Sequence, residues 1–577
     1  MLTRLEVRNF KRFDEVAIDL GHVVVFVGPN NTGKTTALQA LTLWDAGLRA
    51  WVSEHGTEHR PNKKRPGISM NRKDLMALPI PSALYLWRDK HVRSSTRGKD
   101  KRRTENVRID ITVKGITAGR EWVCGLEFDY ANDESFYCRP LRTEVEGELE
   151  AMPIPPEALA HRIAYLPPMS GLADREFVKQ AGEVGFLIGQ GQTAQVLRNL
   201  CQAVYLENGD LWRRIVVHIE QLFGVKLQPP QLNATRAEIT MSYLDESQNE
   251  LDLSCAGRGL QQTLLLLTYL YANPRSALLL DEPDAHLEIL RQRQIFNLLV
   301  EVAETQNSQI IAASHSEVVL NEAANRGKVV AFIGQPHTIN DRVSQVQKAL
   351  RELGFEQYYQ AEQKGWVLYL ENTTDLDILR VFATKLSHPV AAHLDRPFLH
   401  PVTTNLPQRA RDHFFGLREA KSDLVGVALF DRLDREPNEN APLMEMMWKR
   451  REIENYFCTR EVLLAYAQKD LGDDLFSHEE RQRRVQIMED AIESIAGSLS
   501  NLGRPSPWSV DIKVTDDCLD PLFKKYSEKL GLTLVLRKNE YYKLASLVDA
   551  ESIDTEVREK LDAILAVAEK ARIREST

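Results

Sequence analysis

The residues most clearly suited to chemistry form a glycine-rich run between a strand pattern and a helix pattern. The run Gly28-Pro29-Asn30-Asn31-Thr32-Gly33-Lys34-Thr35 follows five apolar residues, 23–27, and apolar residues resume after Thr36. Glycines let backbone N–H groups close on phosphates, and a helix N-terminus adds positive potential. The spacing predicts a phosphate-binding loop in which Lys34 reaches the β- and γ-phosphates of ATP and Thr35 binds Mg²⁺. The residues predicted to contact the nucleotide here are Asn30, Asn31, Gly33, Lys34, Thr35 and Thr36.

A second candidate is a pair of carboxylates after the apolar run 277–280. Asp281 would lie beside Mg²⁺ at the end of a buried strand, and Glu282 would orient or deprotonate the attacking water as the catalytic group. Strand-end carboxylates also serve as simple caps, which is the alternative. The upstream phosphate-binding loop favours the catalytic interpretation.

A third candidate is a set of acidic residues after two further strand patterns. Glu371 and Asp375 follow residues 366–370, and Asp431 and Asp434 follow residues 424–430. The ends of neighbouring parallel strands meet at one edge of a sheet, and carboxylates gathered there repel one another unless a divalent cation neutralises them. Mg²⁺ or Mn²⁺ would suit, and two ions about 3.5–4 Å apart would allow phosphodiester cleavage. Ordinary helix caps and surface acids are the alternative.

The composition favours a globular protein with several domains. The chain has 577 residues, 43% of them apolar, and a net charge of −9, so contacts with nucleic acid must come from local patches. No apolar run approaches the ~20 residues of a membrane span and no signal sequence is recognised, which predicts a cytoplasmic protein without membrane contact. The six cysteines form no C-x-x-C pair, so neither a zinc site nor a disulfide framework is indicated.

The amino-terminal segment resembles a known class of ATPases. Two strand patterns around the turn 11–14 carry Val7-Arg8-Asn9-Phe10-Lys11, and with Gly28-Pro29-Asn30-Asn31 they resemble the RecF- and SMC-like ATPases of the ABC class. The resemblance implies an α/β head that closes as a dimer over two nucleotides. It places Ser254 and Gly257 in the signature motif and His315 at the switch histidine that contacts the γ-phosphate. Such heads usually carry a sensor glutamine near residues 165–172; none stands there, and the sensor is left open.

The order of patterns predicts three regions. An ABC-type ATPase domain of mixed sheet and flanking helices covers 1–350, a Toprim-like α/β domain 363–460, and a mainly helical region 461–577, with a break near 503–508. Within the first, a basic insertion at about 51–106 is either a contact for a phosphate backbone or a solvated loop. A helical segment at about 174–224 is either an arm for dimerisation or a core layer. In the third, Lys538 to Lys543 mix basic and aromatic residues as a nucleic-acid surface can.

The acidic set resembles the Toprim domain, and a RecF/SMC-like head joined to a Toprim domain resembles the OLD (overcoming lysogenisation defect) family of ATP-dependent nucleases. The resemblance implies that Glu371 is the general base or a metal ligand and that Asp375, Asp431 and Asp434 are the other carboxylates. Asn372 replaces the customary glycine, and two residues instead of one separate Asp431 from Asp434. The run Trp448 to Phe457 also looks like the family pattern: Lys449 would stabilise the pentavalent phosphate and Glu454 would complete the metal site. An amphipathic helix edge with charge pairing explains that run equally well.

These features together predict an ATP-binding and ATP-hydrolysing DNA endonuclease or nickase. The resemblance implies a homodimer or larger homo-oligomer, DNA as substrate, a role in defence against phage, and a possible second defence protein. The alternative is a nucleotide-sensing ATPase scaffold whose degenerate Toprim domain binds and controls a partner effector. A RecF-type repair ATPase is disfavoured because it would not need the second carboxylate set.

Overall fold

A computed structural model of the chain separates it into two compact units. It describes residues 1–56, 67–72, 75, 78, 80–97, 102–145, 148–332, 335–339, 354–403, 406–434, 437, 442–469, 475–531 and 536–572. The first unit is built from residues up to Gln347 and the second from Lys348 to Arg574. The sequence places the corresponding boundary between 350 and 363. Within the described residues, no helix is both long enough and apolar enough to cross a membrane.

The first unit contains two large sheets and eight helices among its described residues. Its strands are β1 (Leu2–Phe10), β2 (Phe13–Asp19), β3 (Val23–Val27), β4 (Ile68–Asn71), β5 (Arg93–Arg97), β6 (Arg102–Asn106), β7 (Ile109–Thr117), β8 (Arg120–Tyr130), β9 (Ser135–Pro140), β10 (Arg142–Val145), β11 (Glu148–Ala151), β12 (Arg162–Leu166), β13 (Lys226–Leu227), β14 (Gln231–Asn233), β15 (Glu238–Thr240), β16 (Ser242–Leu244), β17 (Glu250–Asp252), β18 (Ser276–Asp281), β19 (Gln309–Ser314), β20 (Lys328–Ala331) and β21 (His337–Thr338). Its helices are α1 (Lys34–His55), α2 (Pro156–Leu159), α3 (Ala181–Gly189), α4 (Leu197–Glu207), α5 (Gly209–Phe223), α6 (Arg258–Ala272), α7 (Ile289–Thr305) and α8 (Glu317–Arg326).

One sheet positions the predicted nucleotide-binding residues. Its strand order is β12-β18-β19-β3-β20-β21, and it is parallel except for its last strand. The inner strands β3, β18 and β19 are buried along their whole length, as strands covered on both faces are. Their register pairs Ser314 with Val27 and Asp281 with Ala313. The carboxyl ends of β18, β19 and β3 therefore align at one edge, which is where the predicted nucleotide-binding residues follow.

The other large sheet is antiparallel, with the order β2-β1-β7-β8-β9-β4, and α1 packs between the two layers. Fully buried apolar side chains from both sheets and from α1, Trp44 among them, form one core. Burying a side chain of this size removes it from water and contributes roughly 1.5–3 kcal/mol. This core fixes the helix whose first residue is Lys34.

The region from 51 to 106 is only partly an insertion. Trp51 is buried in α1 and stacks on His55, so the helix continues to His55 because its apolar face continues. Residues 68–71 form β4 in the antiparallel sheet, and Trp87 is fully buried. Most of the basic residues of this region lie in 57–66 and 98–101, outside the described residues, or on the β5–β6 hairpin, where only the backbone of residues 94–97 and 102–105 is described. The choice between a phosphate contact and a solvated loop stays open.

The segment 174–224 folds as three helices after an extended start. The face of α4 formed by Leu197, Leu200 and Val204 is buried, and α4 packs against α5 and α6. For this face, the core-layer interpretation is the one the packing supports.

The second unit has an α/β part, which contains all its strands, and a helical part that begins at Arg460. Its strands are β22 (Trp366–Leu370), β23 (Leu399–Pro401), β24 (Val425–Phe430) and β25 (Leu443–Met447). Its helices are α9 (Phe355–Lys364), α10 (Thr373–Lys385), α11 (Ala391–Leu394), α12 (Pro407–Ala420), α13 (Arg460–Gln468), α14 (Leu475–Asn501), α15 (Asp520–Leu530), α16 (Tyr542–Ala545) and α17 (Thr555–Ala568).

The four strands form a parallel sheet with the order β23-β22-β24-β25. One face of β22 and β24 shares a continuous buried cluster with α10 and with residues of α13 to α17. The predicted Toprim-like region and the predicted helical region are therefore joined by one core. The α/β class and the helical carboxyl-terminal region agree with the prediction from sequence.

Candidate functional site

The phosphate-binding loop has a backbone that needs glycine at two positions. Gly28 and Gly33 have φ values of 150° and 108°. A Cβ on Gly28 would lie 2.8 Å from the carbonyl oxygen of Phe332, and a Cβ on Gly33 would lie 2.7 Å from the ring of Phe13. At both positions a side chain would strain the backbone and would also collide with its neighbours. The two glycines hold the loop against β1–β2 and β20 while Gly33 caps α1.

Lys34 and Thr35 lie at the start of α1 with their side chains at the predicted centre. Lys34 Nζ donates hydrogen bonds to the carbonyl oxygens of Gly28 and Pro29, at 2.7 and 2.8 Å. Burial lowers the pKa of Lys34 to about 8. Thr35 Oγ1 donates to Asp281 Oδ1 at 3.1 Å, and burial raises the pKa of Asp281 to about 6. The hydroxyl and carboxylate predicted to hold Mg²⁺ are adjacent, and both offer the oxygen ligands that Mg²⁺ prefers.

Tyr165 is a member of this site that the sequence did not identify. It lies on β12, next to β18, and its hydroxyl donates to Asp281 Oδ2 at 3.3 Å. Tyr269 of α6 in turn donates to the backbone carbonyl of Tyr165 at 3.0 Å. The strand end where a sensor glutamine was expected therefore contributes a tyrosine to the Asp281 carboxylate. Tyr165 could have been identified only by recognising that β12 pairs with β18, the strand that ends at Asp281.

Glu282 and His315 lie together at the same edge. His315 Nε2 is 3.5 Å from Glu282 Oε1, and His315 Nδ1 is 3.5 Å from Lys34 Nζ. Glu282 has a φ of 49°, which is uncommon for a non-glycine residue and recurs where a side chain is held for function. Burial, reinforced by the charge of Lys34, lowers the pKa of His315. A neutral imidazole thus lies between the lysine and the candidate catalytic carboxylate.

The predicted signature residues are exposed at the start of α6. Ser254 belongs to a 3-10 turn, Leu253–Cys255, and Gly257 is the N-cap of α6. Asp252 Oδ1 accepts from the backbone N–H of Ser254 at 2.8 Å and from Arg198 Nη2 at 3.1 Å. Arg198 is almost fully buried and also donates to the carbonyl oxygen of Ala173. The signature turn is therefore tied through Arg198 to the segment that follows β12.

In the second unit, the acidic residues follow strands that are neighbours. Glu371 comes directly after β22 and Asp431 directly after β24, and Tyr369 pairs with Ala428 across the two strands. Burial raises the pKa of Asp431 to about 9, and the charges of Glu371 and Glu454 add to this. Burial, followed by the charge of Glu452, raises the pKa of Glu454 to about 8. We refer to Glu371, Asp375, Asp431, Glu452 and Glu454 as the acidic cluster.

Glu452 and Glu454 are held rigidly. Both are 2% exposed. Glu452 caps the 3-10 turn Ile453–Tyr456, and its Oε1 accepts from the backbone N–H of Thr515 at 2.5 Å. Glu454 Oε1 is buried, accepts no hydrogen bond from the part of the chain that the structure describes, and lies 3.9 Å from Lys538 Nζ. A buried carboxylate oxygen that accepts no hydrogen bond is suited to bind a cation as a ligand.

Lys538 is a lysine that the fold brings to the acidic cluster. Burial alone would lower its pKa, but the charges of Glu454, Glu452, Asp375 and Glu371 outweigh burial and raise it. Lys449, the lysine predicted for this role, is 73% exposed and lies 3.6 Å from Glu559. The mixed run 538–543 was the available signal, although its Tyr541 is fully buried in the core.

Asp434 and Asp375, the two other predicted metal ligands, differ in their surroundings from Glu371, Asp431 and Glu454. Asp434 is exposed at the surface. Asp375 completes a capping box with Asn372: its Oδ2 accepts from the backbone N–H of Asn372 at 3.2 Å. Burial raises the pKa of Asp375 to about 6, and the charge of Glu371 adds to it. Asp375 is thus both a helix cap and a member of the acidic cluster, and Asn372 is present as the N-cap of α10.

The donor chemistry of the acidic cluster fits a divalent cation, and its present geometry is looser than a coordination shell. All five members carry carboxylate oxygens, the ligands of Mg²⁺ and Mn²⁺. Across the residues that the structure describes, no group of three or more histidine, cysteine, aspartate and glutamate side chains forms a ready metal site. The side chains of the acidic cluster would have to rearrange before they could coordinate an ion.

Two family models match the first unit. The model described as "AAA ATPase domain" matches residues 1–45, and the model described as "AAA domain, putative AbiEii toxin, Type IV TA system" matches residues 161–321. These ranges contain the phosphate-binding loop, the signature turn, Asp281 and His315. Over these two ranges the first unit therefore resembles AAA-type ATPase domains.

A curated relative is the OLD nuclease of Thermus scotoductus, which is 23% identical over 343 residues. The resemblance to the OLD family is confirmed. The match covers 55% of this chain and 59% of the relative, so the chain spans little more than half the length of the OLD nuclease that it matches.

Solved SMC heads are also similar, at low scores. The SMC head domain from Thermotoga maritima is 16% identical with a TM-score of 0.31, and the match covers 59% of this chain and 99% of that one. The Smc head with an extended coiled coil from Pyrococcus furiosus is 13% identical with a TM-score of 0.33, covering 61% and 98%. Scores of this size carry no argument, and the fold is defined by the strand order and register given above.

Proposed function

We propose that this protein is an ATP-hydrolysing, divalent-metal-dependent DNA endonuclease or nickase of the OLD type. The observation that carries the proposal is the acidic cluster, in which carboxylates follow the ends of β22 and β24 and lie on the Glu452–Glu454 turn, with Lys538 Nζ 3.9 Å from Glu454. A nucleotide-binding head without nuclease chemistry would not need a second buried set of carboxylates.

The ATPase half of the proposal assigns a role to each residue at the edge of the first sheet. The loop 28–35 would hold the phosphates through backbone N–H groups and Lys34, and Thr35 and Asp281 would bind Mg²⁺, which neutralises charge on the phosphates. Glu282 would orient or deprotonate the attacking water, and His315, 3.5 Å away, would sense the γ-phosphate. The exposed Ser254 and Gly257 would face the nucleotide of a second subunit.

The nuclease half of the proposal assigns the metal to the acidic cluster. Glu371, Asp431 and Glu454 would bind Mg²⁺ or Mn²⁺, with Asp375 as a further ligand, and the ions would polarise the phosphate and activate a water. Glu371 would also serve as general base. Lys538 would stabilise charge on the phosphate, a role that its raised pKa keeps available at neutral pH. Asp434 and Lys449 have no part in this assignment.

A second candidate function is the nucleotide-sensing scaffold that controls a partner effector. Two observations favour it: the acidic cluster forms no ready metal site within the described residues, and Asp375 is engaged in a capping box. In this account the cluster would bind a cationic group of the partner instead of metal and DNA.

The remaining assignments follow from the resemblance. We propose a homodimer closed through the ATPase heads, DNA as the substrate, a cytoplasmic location and a part in defence against phage, with a second defence protein as a possible partner. ATP would govern access to the acidic cluster through the heads.

The test is cleavage of supercoiled plasmid with Mg²⁺ or Mn²⁺, with and without ATP. The proposal expects metal-dependent nicking that Glu371→Ala abolishes and that Lys34→Ala alters in its response to ATP. Intact ATP hydrolysis with no cutting under any condition would contradict the nuclease and support the scaffold.

A further inference from the structure

A short loop beside the acidic cluster carries large apolar side chains in water. We refer to residues 502–511, between α14 and the turn that precedes α15, as the tryptophan loop. Three of its side chains are exposed although they are large and apolar: Leu502 at 71%, Trp508 at 42% and Val510 at 47%. Single exposed apolar residues are ordinary, but three within nine residues form a patch that calls for a function.

The tryptophan loop is fastened to both sides of the acidic cluster. On one side, Arg432, which follows Asp431, pairs with Asp511 at 2.7 Å. On the other, the backbone N–H of Arg451, which precedes Glu452, donates to the carbonyl oxygen of Val510 at 2.9 Å. These contacts attach the loop to Arg432 and Arg451, the two basic residues next to the acidic cluster in sequence, which we call the rim of the cluster.

The segment carrying Glu454 is tied to the tryptophan loop as well. Asn455 Nδ2 donates to the carbonyl oxygens of Ser509 and Ile512, at 3.3 and 3.2 Å. The Ser506 hydroxyl accepts from the backbone N–H of Trp508 at 3.2 Å, and Pro505 and Pro507 restrict the backbone before it. Trp508 is therefore presented from a braced loop, which lowers the entropy lost when a ligand stacks on it.

Trp508 differs from every other tryptophan of the chain. The structure describes all eight, and the other seven are buried: Trp44, Trp51, Trp87, Trp122, Trp212, Trp366 and Trp448. Basic residues lie on the same loop and its anchor: Arg504, which also pairs with Asp517, belongs to the loop, and the exposed Arg451 donates its backbone N–H to Val510. An exposed aromatic ring next to exposed basic groups matches the requirements of a single-stranded nucleic acid, in which bases stack and phosphates need cations.

We propose that the tryptophan loop is a docking platform for an unpaired base of the DNA substrate, with Trp508 as the stacking residue. The proposal rests on the function proposed above and extends it. A base stacked on Trp508 would place the neighbouring backbone along the rim formed by Arg451 and Arg432. The platform would favour single-stranded, frayed or distorted DNA over intact duplex, because bases within a duplex already stack on one another.

The test uses the intact protein in EDTA, where a metal-dependent enzyme binds DNA without cutting it. Tryptophan emission is followed while a short single-stranded oligonucleotide is added, and a fully abasic strand of the same length and charge is compared. We expect the oligonucleotide to quench the emission and the abasic strand to bind more weakly with little quenching. The seven buried tryptophans should contribute no change.

Variants separate stacking from a general contribution of the loop. Trp508→Ala should weaken binding of the oligonucleotide by about 5- to 100-fold, the range that loss of one stacked base implies. Trp508→Phe should keep most of the affinity while losing the quenching. Phe415→Ala is the matched control, because Phe415 is also an exposed aromatic of the second unit but lies on α12, and its binding should equal wild type. An unchanged circular dichroism spectrum and melting profile would verify that each variant is folded.

The outcomes distinguish this inference from the function on which it rests. If wild type binds the oligonucleotide but Trp508→Ala binds equally well, or if the abasic strand binds as tightly, the platform is refuted and the nuclease stands. If wild type binds no DNA of any form, the nuclease itself is refuted.

Discussion

Thr35 donates a hydrogen bond from its hydroxyl to Asp281 at 3.1 Å, which joins the phosphate-binding loop to the end of a strand far away in the sequence. We expect Thr35→Ala to lower ATP hydrolysis by at least about 10- to 100-fold, the usual cost of disturbing a metal's surroundings. Thr35→Ser keeps the hydroxyl and should retain most of the activity. The measurement is the steady-state rate against Mg²⁺ concentration, and equal rates for both variants would contradict the assignment.

Tyr165 is expected to act as a positioning residue for Asp281. Tyr165→Phe removes only the hydroxyl that donates to Asp281 Oδ2. We expect the Mg²⁺ concentration needed for half-maximal hydrolysis to rise by up to about 10-fold, while the KM for ATP changes little. Tyr243→Phe, on β16 of the same unit, is the control. A fall in kcat with an unchanged Mg²⁺ requirement would refute the positioning role.

Lys538, and not Lys449, is expected to support DNA cleavage. Lys538 lies 3.9 Å from Glu454 of the acidic cluster, whereas Lys449 lies beside Glu559 at the surface. Lys538→Met should lower the nicking rate by about 100-fold or more, in the range found for loss of one stabilising donor, and Lys449→Met should lower it less than about 3-fold. Nicking rates under saturating metal compare the two directly. The reverse order would return the role to Lys449.

His413 predicts a pH dependence of stability in the second unit. It is buried, its Nδ1 is 2.8 Å from the Tyr369 hydroxyl, and burial, with His400 next, lowers its pKa to about 3. The unfolded chain takes up this proton near pH 6.5 and the folded chain does not, so stability falls as pH drops from about 6.5 towards 3, by at most about 1.4 kcal/mol per pH unit.

The change in melting temperature between pH 7 and pH 5 measures this effect. It should be smaller in His413→Gln than in wild type, and His478→Gln, at an exposed histidine, should match wild type. An equal change in all three proteins would exclude His413 as the cause.

The sequence predicts the site residues that belong to a local motif or that directly follow a buried strand. The spacing around Lys34 fixed the loop, and the apolar runs before Asp281, Glu371 and Asp431 placed each carboxylate at a strand end. Residues that arrive from elsewhere could not be found this way: Lys538 reaches the acidic cluster through the folding of the helical region, and Tyr165 depends on the pairing of β12 with β18.

Two residues of the family pattern have surroundings that differ from those of the acidic cluster. The resemblance implies that Asp434 is a metal ligand and that Lys449 stabilises the phosphate. The structure leaves both at the surface, because the side chains of a turn point in different directions. Glu452 was not singled out, although its capping box with Asn455 and its bond to Thr515 hold the turn that carries Glu454.

The measurement that tests the central claim most directly is the metal-dependent nicking rate of Asp431→Asn against Asp434→Asn. Each change replaces a carboxyl group with a neutral amide of the same shape, and burial already disfavours the charged form of Asp431, so loss of folding is not expected. If the acidic cluster is the nuclease site, Asp431→Asn should lose more than the ~100-fold that an outer-shell change costs, while Asp434→Asn stays near wild type. Equal rates for the two variants, or undiminished nicking in Asp431→Asn, would contradict the account.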